Sequence, residues 1–139
     1  MINCRVNAIP DTTYINISDN QWRCREGITF SSNDASGKNW TDNGYDEGVS
    51  LPWLTGTTPI GYGDGDDNTV LSGMQNNYIT FFMRREFTIP SGQVPSTLTL
   101  RALYDDGLAI FINGVEVTRY SLFFECWDHS FSSSYGIRE

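Results

Sequence analysis

The chain has 139 residues, enough for one domain with a substantial core, and a single domain over residues 1–139 is expected. Nine basic residues against seventeen acidic give a formal charge of −8. That excludes nucleic acid as a natural partner, because phosphate binding needs a basic footprint. No window reaches the length of a membrane span, so no span is expected.

Residues 1–10 carry one Arg and no long apolar run, so no secretory signal is expected there. Residues 12–17 (TTYINI) alternate and are β-branched, which predicts a first strand. Residues 21–25 and 27–31 predict two short strands, with Trp22 and Phe30 as inward anchors. Residues 31–48 are rich in Ser, Asn, Asp and Gly and read as a long loop carrying Trp40 and Tyr45. In residues 51–67, Pro52, Pro59 and four glycines exclude a helix and most regular strand. A structured loop held by Trp53, Leu54, Ile60 and Tyr62 is expected instead.

Residues 78–89 (YITFFMRREFTI) form the longest predicted strand. A period of two puts Ile79, Phe81, Met83, Phe87 and Ile89 on one face, interrupted by Arg85. Tyr78, Thr80, Phe82, Arg84 and Glu86 fall on the other. Residues 97–104 repeat the pattern, with Leu98, Leu100, Ala102 and Tyr104 facing in. Residues 108–112 and 115–118 flank Asn113-Gly114, the strongest short hairpin signal, because a type I′ turn needs φ > 0 at both central residues. Asp105-Asp106-Gly107 marks the corner that enters this hairpin. Short alternating strands between turn clusters predict an all-β antiparallel sandwich with little or no helix. Its inner faces bring Ile79, Phe81, Met83 and Phe87 against Leu98, Leu100, Ala102, Ile110 and Ile112.

The run D-D-G-L-A-I-F-I-N-G-V-E-V (residues 105–117) resembles the central hairpin of galactose-binding-domain-like jelly-roll modules. Such modules are attached to large secreted or surface proteins of bacteria, and similar ones occur in phage fibres. W-L-T-G-T-T-P-I-G-Y-G-D-G-D (53–66), Y-I-T-F-F-M-R-R-E-F-T-I (78–89) and L-T-L-R (98–101) fit the same family in order. The resemblance covers about residues 40–120. It implies a jelly roll, with glycan recognition or adhesion at an extracellular, cell-surface or virion location. A sandwich hosts many roles, so function has to be argued from a site.

Catalysis is hard to assemble. His129 is the sole histidine, so a nucleophile–base pair has one base to draw on, and no enzyme is expected. Asp64, Asp66 and Asn68 stand at the alternate spacing of a calcium loop. Thr69 then replaces the turn glycine, and Gln75 stands where the bidentate Glu belongs. A looser Ca2+ loop and an Asp/Gly turn capping its own backbone are the two readings. For a sugar, Trp40 is the platform candidate, since Lys38, Asn39, Thr41, Asp42 and Asn43 surround it with polar groups. Asp105 and Asp106 join it as ligand-binding candidates, with turn stabilisation as their other reading. The three cysteines leave two alternatives, a Cys4–Cys24 bridge or reduced thiols.

Two functions compete: a non-catalytic carbohydrate-binding or adhesion module, and a structural subunit of a virion, tail fibre or extracellular filament. Residues 121–139 decide between two expectations. They lack a clear alternating strand, so the jelly roll is expected to be incomplete there. Either Phe123, Phe124, Trp127 and Phe131 plug the gap, or another chain supplies the strand. The second route, a homo-oligomer formed by strand or tail exchange, is the expectation here.

Overall fold

A computed structural model describes residues 3–8, 12–29, 33–49, 52–120 and 129–135. Its strands are β1 (Asn3–Ala8), β2 (Thr12–Ile15), β3 (Trp22–Glu26), β4 (Leu54–Gly56), β5 (Ile60–Gly61) and β6 (Thr69–Val70), followed by β7 (Phe81–Arg84), β8 (Leu98–Tyr104), β9 (Leu108–Ile112), β10 (Val115–Tyr120) and β11 (His129–Tyr135). One 3-10 turn, Glu47–Val49, is the only helical element among the described residues. The protein is all-β and consistent with a β-sandwich. One antiparallel sheet runs β11-β8-β1-β2 and another runs β4-β3-β7. The β9–β10 hairpin and the short parallel pair β5–β6 stand apart from both ladders.

The two larger sheets share one core. Ile15 of β2 and Leu98 of β8 meet Trp22 and Cys24 of β3, with Ile60, Leu71, Met74 and Tyr78 in the same cluster. Along β8 the buried positions are Leu98, Ala102 and Tyr104, while Arg101 is exposed, as a strand period of two dictates. Phe81, Met83, Phe87 and Ile89 pack on this cluster, so that part of the expected inner face is met. The hairpin is also met. Asn113 and Gly114 have φ of 48° and 81°, both in the left-handed region that a type I′ turn requires.

Several expectations are corrected. Ile79 is 97% exposed, and Tyr78, assigned to the outer face, is buried. The cause is a turn: the Asn77 and Tyr78 amides both donate to Met74 O, so residues before 81 are not strand and the alternation does not extend through them. Residues 27–29 turn rather than form a strand, with Gly27 N–H donating to Thr80 O at 2.9 Å. Within residues 52–67, Trp53 and Ile60 are buried, but Leu54 and Tyr62 are exposed, and β4 and β5 are short strands rather than loop. Cys24 is a free, buried thiol, which removes the Cys4–Cys24 bridge.

The largest correction is at the two ends. β1 lies between β8 and β2, with Cys4 opposite Ala102 and Val6 opposite both Leu100 and Ile15. β11 pairs with β8 over its full length, from His129 opposite Tyr104 to Tyr135 opposite Leu98. The tail therefore adds its own strand within the chain, and the expected strand donation by a second chain is not needed to complete this sheet. The serine run of β11 has little strand propensity; its backbone ladder comes from β8. Phe30, Phe123, Phe124 and Trp127 lie outside the described residues.

Replacing Ile60, which is fully buried, by Ala should cost about 2–5 kcal/mol through lost burial and a residual cavity. Ile79→Ser should change stability by less than about 0.5 kcal/mol, because it removes no buried contact. Denaturant melts of the two variants check the corrected register.

Candidate functional site

The loop over residues 33–48 is built around a carboxylate. Asp34 is buried, and its Oδ1 accepts the Ser36 and Lys38 amides at 2.8 and 2.9 Å. Oδ2 accepts the Asp46 amide at 3.0 Å, so one side chain ties both ends of the loop together. The Asp46 bond holds the Asp34 carboxyl below its ordinary range; burial opposes this, and the bonds from Lys38 and Ser36 add to it. Within the loop Asp42 Oδ2 accepts the Asn39 amide at 2.7 Å, closing a short turn that carries Trp40 and Thr41.

Arg84 of β7 anchors this loop. Its guanidinium donates to Asp42 O and Tyr45 O, each at 3.1 Å, and pairs with Glu47 at 3.2 Å and Glu86 at 2.8 Å. It also lies over the Tyr45 ring, 5.5 Å from the centroid. Glu47 in turn takes Arg23 of β3, whose other nitrogens reach Thr55 Oγ1 and Trp53 O.

Trp40 is thereby pressed into an aromatic cluster. Its ring centroid lies 5.0 Å from Phe82, 5.9 Å from Phe111 and 6.3 Å from Trp53. Beside it, Thr41 O accepts the Gly114 amide of the hairpin tip at 2.9 Å. A cleft of about 730 Å³ opens between the hairpin and the sheets. Its apolar walls include Met83, Leu100, Leu108 and Ile110, and its rim carries Asp42, Asn43, Arg84, Glu86 and Asn113 next to Trp40.

The structure brings some expected site residues together and separates others. Trp40 lines the cleft, half-buried rather than as a free platform. Asp105 and Asp106 are exposed at the β8–β9 corner, at the far end of β9 from the Asn113-Gly114 tip, and Asp106 adopts a φ of 71°. Asp64 and Asp66 gather with Asp67, their carboxylate oxygens within 4.8 Å of one another. A hydrogen bond between the Asp64 and Asp66 side chains pushes Asp66 up and Asp64 down; Asp67 is pushed up by burial first and then by Asp64. Asn68 Nδ2 donates to Thr58 O at 2.8 Å, closing the loop's own backbone. The sequence already put Asp42 and Asn43 in the polar loop around Trp40, whereas Glu86 and Asn113 were missed as rim groups. The cation in an aromatic strand was the available signal.

No family model, curated protein or solved structure matches this chain.

Because the folded Asp34 pKa lies below the unfolded one, its stabilisation is complete above the unfolded value and is lost as pH falls through the folded value. The melting temperature of the wild type should therefore drop on acidification through and below the usual carboxylate range. Asp34→Asn should melt lower at neutral pH, since an amide nitrogen cannot accept the Asp46 N–H, and should show a flatter acid limb. Melting curves across that range check both.

Proposed function

We propose that this chain is a non-catalytic binding module that takes carbohydrate at the mouth of the cleft. The reading includes a jelly-roll arrangement of the galactose-binding-like kind and a place in an extracellular, cell-surface or virion assembly. One observation carries it: an aromatic face at Trp40 stands beside amides and carboxylates, Asn43, Asn113, Asp42 and Glu86, at the rim of a single concavity. Sugars offer an apolar ring face and a set of hydroxyls, and a site for them needs both kinds of group within one ring's width. The rim also holds Arg84 and its carboxylate partners already in place, so little side-chain ordering remains to be done on binding. Ca2+ belongs to the proposal, held by the loop carboxylates of Asp64, Asp66 and Asp67, where a divalent cation would offset their mutual repulsion.

The second reading, a structural subunit, is favoured by one separate feature. β11 is the outermost strand of its sheet, and among the described residues no strand pairs with its outer edge. Seven residues of open ladder suit strand addition by another chain.

A glycan array followed by calorimetry tests the first reading, with and without millimolar calcium. A mono- or oligosaccharide should bind, and Asn43→Ala should weaken it roughly tenfold, about 1.4 kcal/mol, without lowering the melting temperature. Calcium should raise the melting temperature, as any ligand of the native state alone must. A silent array, together with concentration-dependent sedimentation of the sugar-free protein, would replace the first reading by the second.

A further inference from the structure

We infer that Asn113 is a covalent modification site, a deamidation site whose reaction is held off by the docking of the loop on the hairpin tip. Asn-Gly is the dipeptide in which this chemistry meets least steric resistance. The Gly114 amide nitrogen, after losing its proton to solvent base, attacks the Asn113 side-chain carbonyl carbon. The bond to the side-chain nitrogen breaks and ammonia leaves. Water then opens the five-membered succinimide at either carbonyl, giving aspartate or isoaspartate.

Two features of this structure bear on the attacking nitrogen. Its proton is given to Thr41 O at 2.9 Å, so the step that makes it nucleophilic competes with a formed hydrogen bond. Asp42 also crowds Gly114: a β-carbon at this position would stand 2.3 Å from Asp42 Oδ1. The carboxylate lies against the Gly114 backbone, and it disfavours a second negative charge on the neighbouring amide. Asn113 itself is exposed, so the side chain is reachable while the nitrogen is guarded. Reaction then requires the loop and hairpin to part, and its rate follows the population of that local opening.

The product makes the parting permanent. A new carboxylate at position 113 adds a like charge one residue from the Gly114–Asp42 contact, and isoaspartate also inserts a methylene into a backbone that needs φ of 48° and 81° at these two positions. The hairpin tip can no longer seat under Thr41, and the cleft rim loses Asn113. The modification therefore acts as a slow, one-way release of the hairpin.

The test is incubation of the purified native chain at mildly alkaline pH, with peptide mapping of residue 113 by mass. The same chain in denaturant gives the unguarded rate, and Asp42→Ala gives a folded chain with a loosened loop. Native Asn113 should react at least roughly tenfold more slowly than in denaturant, and Asp42→Ala should recover much of that factor. Amide exchange at Gly114, read on the wild type alone, should be slowed in parallel, which keeps the test open if the variant fails to fold. Equal rates in native and denatured chains, or a Gly114 amide that exchanges at the unstructured rate, overturns the proposal.

Discussion

One cation holds the working part of this molecule together. The Arg84 side chain is only 10% exposed, yet its guanidinium meets two backbone carbonyls, two carboxylates and an aromatic face. A charge so far from water is tolerated only where nearly all its donors are occupied, and removing such a group's partners leaves a cost of about 3–5 kcal/mol. The loop over residues 42–47 supplies most of those partners. It therefore cannot leave β7 without stranding the charge, and this fixes a loop whose composition alone would leave it free.

The hairpin inherits its position from that anchor. β9 and β10 pair with each other and with no other strand among the described residues. Their tip is tied to the loop by the Gly114–Thr41 bond, and Phe111 packs on Trp40, which itself rests on Phe82 and Trp53. The cleft lies between the hairpin so held and the sheets. Its aromatic and polar rim is thus a consequence of loop anchoring, and binding there and local stability are coupled through the same few residues.

The readable parts of the sequence were those set by local chemistry. Asn113-Gly114 specifies its turn by backbone sterics, and β8 announces its buried face by alternation. Ile79 misled because a period of two was carried back through a turn that the Met74 carbonyl closes, a contact with no sequence signature. β1 and β11 were missed because their strand state comes from the partner ladder on β8 rather than from propensity. At the site, the polar neighbours of Trp40 suggested a free ring, whereas the ring packs against three others. Arg84 read as an outward-facing residue, since nothing local reveals that a loop some forty positions earlier folds back over it.

Amide hydrogen exchange on the wild type and on Arg84→Met, compared strand by strand, tests this account most directly. The account predicts that protection falls in β9–β10 and in residues 38–47 while β8, β1 and β2 keep theirs. Unchanged protection of the hairpin in a folded Arg84→Met chain, or an equal loss in every strand, would contradict it.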